Sequence, residues 1–287
     1  MDALWLDNPA LCAFVWGVFA RVAILAPGFI GASVAQAARR YGIAGRIALW
    51  ARRPEVRLKL RGQPWCDLAA DTPAAAVQDA ELVVLAAPVD RLVPLAREIA
   101  APLAPGALVT DVGGVKGEIC RLAMTALAGR AQFIGSHPLV GSEKSGWENA
   151  RADLFAHRTV FVTPLPETDV GAAERIAAFW SALDAEVVTV HPDTHDEIVA
   201  HLSHLPQVLA STLCSYLHRR DAQWRNHAGA GLRDTTRLAA SDPRLWKSIL
   251  ELNRDEVLRA LRGYQDELHG LERAVANRDW FEVQAIL

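Results

Sequence analysis

Cysteine is scarce and scattered in this chain of 287 residues: only Cys12, Cys66, Cys120 and Cys214. None stands in a CxxC or other metal-ligand spacing, so a structural zinc site and a disulfide framework are both excluded as organising features. Isolated thiols of this kind are expected to stay reduced, which points to a cytoplasmic protein. There is no excess of one charge, since 30 basic and 33 acidic residues leave a formal net charge of −3. Nucleic acid and anionic membrane surfaces are therefore not expected partners. A long apolar run is also missing. The stretch Pro9 to Ala20 is apolar for only about a dozen residues, too short to span a bilayer, and it lacks a basic region before it, as a secretory signal would have. Residues 1–20 are expected to be an N-terminal extension. No internal repeat and no low-complexity tract is visible.

What the chain does have is 51% hydrophobic and 22% charged residues, the composition of a globular protein of one large or two ordinary domains. Its first half reads as strands alternating with helices. Arg21 to Leu25 is a β-prone run, Ala26-Pro27-Gly28-Phe29-Ile30-Gly31 a turn, and Ala32 to Tyr41 a helix. Such a turn lets a pyrophosphate sit against free N–H groups at a helix N-terminus. Gly28 and Gly31 fit the last two glycines of the G-x-G-x-x-G fingerprint, while Ala26 replaces the first. The candidate cofactor residues here are Gly28, Phe29, Ile30 and Gly31.

A second strand, Arg46 to Trp50, ends at Ala51-Arg52-Arg53. An acid at that point would hold the ribose 2′-hydroxyl of NAD; arginines suit the 2′-phosphate of NADP. Arg52 and Arg53 therefore favour NADP over NAD. Further strands are expected at Glu81 to Ala86, leading to Ala87-Pro88; at Ala107 to Thr110, leading to Asp111-Val-Gly-Gly-Val-Lys116; at Gln132 to Ile134; and at Thr159 to Thr163. The alternation predicts a Rossmann-type, doubly wound parallel sheet (an α/β fold), whose ligands bind outside the carboxyl ends of the strands. Ala87, Pro88, Asp111 and Lys116 join the cofactor candidates. The segment Gly135-Ser-His137-Pro-Leu-Val-Gly-Ser-Glu143-Lys144-Ser-Gly146 is expected to be a loop after a strand. Its small residues allow close approach of a ligand.

Pro164-Leu-Pro166 marks the expected domain break, giving a dinucleotide-binding domain over 21–165 and a mainly helical substrate and dimerisation domain over 166–287. A helix near Val170 to Leu183 and a strand over Glu186 to Val190 are read as finishing the first domain's periphery. Beyond them Ile198, Leu202, Leu205, Leu209, Thr212 and Tyr216 step by three and four, which predicts a buried helical face. Pro206 should kink that helix beside His201 and His204. Leu245, Ile249, Leu252, Leu258, Leu261, Tyr264, Leu268 and Leu271 predict another long amphipathic helix. So much apolar helix surface calls for a dimer. Arg233, Asp234 and Arg237 share one helical turn. Their spacing fits either a surface ion pair or an arginine that holds a carboxylate. Ser241 or Asp242 is expected to cap the helix entered through Pro243.

Together the glycine turn, Asp111-Val-Gly-Gly-Val-Lys116, the segment Gly135–Gly146, His201-Leu-Ser-His-Leu-Pro206, Arg233-Asp-Thr-Thr-Arg237, Ser241-Asp-Pro243 and Trp246 resemble the prephenate/arogenate dehydrogenase family of tyrosine biosynthesis, over about residues 21–275. The resemblance implies hydride transfer from C4 of a cyclohexadienol to a nicotinamide, with loss of the ring carboxylate as carbon dioxide. It implies His137 as the catalytic base, Arg237 as the holder of a substrate carboxylate, and Glu143 and Asp234 in an ionic network. His204 and Trp246 would belong to the substrate site. Lys144 is given no role. Gly114 stands where the family often has a serine beside the catalytic histidine, so water or backbone would have to substitute. Gln207 stands where many members have a second histidine and would bear on arogenate against prephenate; arogenate is favoured. The resemblance also implies a homodimer with a small-molecule substrate, and leaves tyrosine feedback at the active site open. No metal is expected. Two other readings compete: a β-hydroxy acid dehydrogenase of similar build, and a nucleotide-binding sensor without turnover.

Overall fold

The computed structural model describes residues 19–140 and 145–287. It divides into two units, one ending at His195 and the other running from Asp196 to Leu287. The break therefore lies about thirty residues beyond the expected one at 165/166. Phe19 and Ala20, expected in the extension, are the first residues of a strand; the rest of that extension lies outside the described residues.

The first unit begins with β1 (Phe19–Leu25), α1 (Phe29–Arg40), β2 (Ala44–Trp50), α2 (Pro54–Leu60), β3 (Leu68–Ala69) and α3 (Pro73–Val77). It continues through β4 (Leu82–Leu85), α4 (Val89–Ile99), β5 (Ala107–Asp111), α5 (Gly117–Leu127) and β6 (Ala131–Phe133). These six strands form one parallel sheet in the order β3-β2-β1-β4-β5-β6. That is the doubly wound Rossmann order, with its switch point between β1 and β4. The central strand β4 is fully buried from Leu82 to Leu85, because helices cover both faces of a parallel sheet.

The chain then departs from the expected pattern. Gly135–Pro138 is itself a strand, β7, in a separate sheet with β8 (Thr159–Thr163) and β9 (Glu186–Thr189), in the order β7-β8-β9. The β7–β8 pair is antiparallel and places His137 opposite Phe161; β8 and β9 run parallel. His137 thus sits within a strand rather than on a loop after one. Gly-Ser-His-Pro has little β propensity of its own; long-range pairing makes it a strand. The helix α6 (Val170–Ala182) packs Phe179 and Trp180 into the same core as Phe155 and Val162. Those aromatics hold residues 166–190 in the first unit and explain the later break.

The turn before α1 answers the question raised by Ala26. Its φ is 60°, the left-handed conformation that glycine would adopt without strain. The alanine therefore holds a conformation that suits glycine better. An Ala26→Gly protein is expected to gain roughly 1 kcal/mol, the left-handed penalty less glycine's extra unfolded-state entropy. Thermal denaturation checks this, and an unchanged or lower Tm would refute it.

The division into units falls within α7 (Pro192–Val199). A π-helical turn, Ala200–His204, follows, and then α8 (Leu205–His218) with Pro206 in its first turn. The predicted kink is thus a widened turn, since Pro206 has no N–H to donate. It also shifts the helix phase. Val199, Ala200, His204, Gln207 and Ala210 are buried, whereas Leu202 is 77% exposed and Tyr216 49%. The predicted leucine face is therefore not the inward one within this unit.

The remaining elements are α9 (Ala230–Thr236), α10 (Pro243–Leu252), α11 (Arg254–Ala276) and α12 (Trp280–Ile286). The expected single helix over Leu245–Leu271 is two, broken at Asn253 with φ −112° and ψ 31°. Asp242 is the cap that the sequence left open with Ser241: its carboxylate accepts from the backbone N–H of Arg244 at 2.9 Å. The Arg244 side chain beside it helps hold that carboxyl below the usual carboxylate range. Ala200, Val257 and Ala260 form a small buried core. Among the described residues no helix is long and apolar enough to cross a membrane.

Candidate active site

The fingerprint turn is built for close approach. Gly28 is the N-cap of α1 with no side-chain cap, and a Cβ placed on it would meet nothing within 4 Å. Open space beside uncapped N–H groups at a helix N-terminus fits a pyrophosphate. Gly31 has a different job: a Cβ there would come within 2.5 Å of the Ala86 methyl, so it lets α1 lie close on the sheet. Phe29 and Ile30 are half-buried and pack on the main core. Ala87 and Pro88 lie just beyond β4, after Ala86, at the switch point. Beyond β2, Ala51 is buried while Arg52 and Arg53 are exposed. Among the described residues Arg53 makes only a loose 3.8 Å ion pair, with Glu55.

Asp111 and Lys116, expected at the cofactor, are entirely buried as an ion pair with 0% side-chain exposure on both sides. Asp111 also accepts from the backbone N–H of Gly113 at 2.8 Å and of Ser136 at 3.2 Å. Lys116 Nζ donates to the Ser136 carbonyl at 2.9 Å. Both groups thus grip the backbone of the residue before His137. Ser136 Oγ lies 2.7 Å from Thr110 Oγ1 and accepts from the Trp180 indole N–H at 2.9 Å. Gly135 is needed for this packing, because a Cβ would fall 2.5 Å from Thr163 Oγ1 and 2.6 Å from Cys120 Sγ.

His137 projects from this anchored strand and is half-buried. Its Nδ1 lies 2.8 Å from Nε2 of His195, a residue of α7 that sequence reasoning missed. Gly114, just beyond β5, lies on the other side of the ring. A Cβ there would sit 3.7 Å from His137 Nε2 and 3.8 Å from Cε1, an ordinary contact. The missing serine would have fitted. The ring is supported by another side chain at Nδ1, rather than only by the water or backbone that the sequence suggested. Glu143 and Lys144 lie outside the described residues.

The helical unit gathers a second set. His204 is buried, its Nδ1 3.2 Å from Asn253 Nδ2, and the Trp246 ring stands edge-on to it with centroids 5.8 Å apart. Asn253 also donates to the Asp196 carbonyl at 2.8 Å, which fixes the helix break. Asn253 was missed because a single asparagine in a leucine-rich run carries no local signal. Gln207 is buried; its Nε2 donates to Ser211 Oγ at 3.2 Å, while its Oε1 has no partner among the described residues. Asp234 and Arg237 are exposed on α9 and the 3-10 turn after it. Neither forms an ion pair among the described residues, so the surface-pair reading of Arg237 is not realised here.

The Cys66 thiol is pushed up to about 11, chiefly by burial and then by the Asp67 charge. It stays protonated near neutral pH and is not a nucleophile there.

The prephenate dehydrogenase nucleotide-binding domain matches residues 34–189, and the prephenate dehydrogenase dimerization domain matches 191–287. The chain is 31% identical over 266 residues to a cyclohexadienyl dehydrogenase of Zymomonas mobilis, covering 91% of this chain and 90% of that one. It is similar to the crystal structure of prephenate dehydrogenase from Aquifex aeolicus in complex with hydroxyphenyl propionate and NAD+. There the TM-score is 0.87 at 29% identity, over 92% of this chain and 93% of that one. The crystal structure of Synechocystis arogenate dehydrogenase gives a TM-score of 0.82 at 27% identity, over 93% and 95%.

Proposed function

The chain belongs to the prephenate dehydrogenase family, and from that premise we propose that it carries out the NADP-dependent oxidative decarboxylation of arogenate, with prephenate as the alternative substrate. The observation that carries this reading is His137. It is a histidine on a strand held at Ser136 by the Asp111–Lys116 pair, with Nδ1 beside His195 Nε2 and Nε2 on the side of Gly114.

A nicotinamide dinucleotide whose pyrophosphate would be held at the fingerprint turn would supply the acceptor for the hydride from ring C4. His137 takes the C4 hydroxyl proton on Nε2 as that hydride leaves, so no positive charge builds on the oxygen. The ring C–COO⁻ bond then breaks, and its electron pair completes the aromatic ring. The proton lent to His137 returns to the phenolate, which balances the reaction without net proton release. Arg237 holds a substrate carboxylate, a role suited to an exposed guanidinium with no carboxylate partner among the described residues. The family resemblance assigns Glu143 and Asp234 to an ionic network, and His204 with Trp246 to the substrate-binding set. Asp111 and Lys116 serve the site through Ser136.

The choice of arogenate rests on Gln207. Its buried Oε1, without a partner among the described residues, is an acceptor suited to an ammonium group, which arogenate has and prephenate lacks. The choice of NADP rests on Arg52 and Arg53 after a buried Ala51, where NAD would call for an acid. The exposed leucines and aromatics of the helical unit, with Phe281 84% exposed, support a homodimer.

The test is reduction of NADP or NAD followed by absorbance, with arogenate or prephenate as substrate. Turnover is expected to be best with NADP and arogenate. No reduction with either substrate would sink the reading, and better use of NAD would overturn the role of the two arginines. Arg237→Gln is expected to raise KM by at least about tenfold, the loss of roughly 1.5–3 kcal/mol from a hydrogen bond to a charged group. An unchanged KM would remove Arg237 from the site.

A further inference from the structure

A neutral histidine serves as a base only through the nitrogen that lacks a proton, so something must decide which nitrogen that is. The structure assigns this task to His195: we propose that it is a positioning residue that accepts a hydrogen bond from His137 Nδ1–H and thereby keeps the lone pair on Nε2. The inference rests on His137 being the base.

The geometry is specific. His195 is fully buried, and its Nε2 lies 2.8 Å from His137 Nδ1. The two rings stand at 70° with centroids 5.1 Å apart. Phe161, which faces His137 across the β7–β8 pair, also packs edge-on against His195 at 5.2 Å and 85°. One aromatic thus sets the angle of the supporting ring while its strand sets the position of the supported one. The start of α7 is tied down as well, since Arg121 on α5 donates to both carboxylate oxygens of Asp193 at 2.9 and 3.2 Å.

Two neutral rings can share this bond in two ways. If His195 donated, His137 would carry its proton on Nε2 and could not accept another there. If His137 donates, Nε2 is basic, and His195 must carry its own proton on Nδ1. Only the second arrangement supports proton transfer at Nε2. When His137 becomes positive the same bond becomes charge-assisted and strengthens. A carboxylate does this work in the Ser-His-Asp arrangement. A neutral imidazole fixes the tautomer without placing a negative charge beside the substrate.

The test uses the full chain and two variants. His195→Phe keeps the ring volume and removes the acceptor; His195→Gln places Oε1 close to where Nε2 was. His195→Phe is expected to lower kcat by about 10- to 100-fold, the usual cost of losing a partner that orients a functional histidine, with KM within about twofold. His195→Gln is expected to recover most of that loss. Independently of any substrate, 15N-correlated NMR of the wild-type imidazoles should show His137 protonated at Nδ1, and His195→Phe should lose that preference. A wild-type His137 protonated at Nε2 would overturn the proposal, even if His195→Phe failed to fold. So would a folded His195→Phe with unchanged kcat, or a His195→Gln as impaired as the phenylalanine. Absence of turnover in the wild type would count against the proposed reaction, while the NMR result would still judge the pair.

Discussion

Replacing His137 with asparagine is expected to lower kcat by about 10²–10⁴, the span usually contributed by a general base, while leaving substrate binding largely intact. The split follows from the structure. Its strand is held through Ser136 by Asp111, Lys116, Thr110 and Trp180, and none of those bonds involves the His137 ring. The variant should therefore fold and bind, and lose chiefly the step in which a proton must move. Steady-state kinetics with a matched thermal melt would decide it. A kcat within a few-fold of the wild type would make His137 a structural residue.

The second large effect is on stability. Lys116→Met is expected to destabilise the protein by about 3–5 kcal/mol, because it leaves Asp111 charged, buried and without its cation. For a protein of this size that is on the order of 10 °C in Tm. Adding Asp111→Asn should recover much of the loss. The amide oxygen can still accept from the Gly113 and Ser136 N–H groups, and the unpaired charge is gone. Denaturation of the single and double variants measures this. Equal destabilisation in both would show that the charge is not what matters.

Much of the fold was legible because its signals are local. The fully apolar Leu82–Leu85 and the Ala26–Gly31 turn each span only a few residues and need no distant partner to be read. The capping role of Asp242 was legible for the same reason. What was not legible is set by distance along the chain. Gly135–Pro138 becomes a strand through β8, about 25 residues on. The helix near Val170 to Leu183 was read as the first domain's periphery, but its anchor, the Trp180 indole on Ser136 44 residues away, was not. At the site, His137 was found from its setting among small residues, but His195 lies 58 residues further on in a helix that shows no motif. Asp111 and Lys116 stood out for sound reasons, yet charge in a sequence does not say whether a side chain faces a ligand or its own fold.

The π turn at Ala200–His204 adds one residue to the path of a helix. In effect α7 and α8 are two helical segments out of phase, joined by a built-in insertion. Winding the same residues as regular α-helix, with none removed, would rotate everything from Leu205 onward by about 100°, whereas deleting one residue from the turn would leave the downstream face in place. In that regular helix His204 and Gln207, both buried here, would turn away from the interior with no side chain altered. The identity of the binding residues in this unit is therefore written partly in chain length, as a count that a substitution scan would never touch.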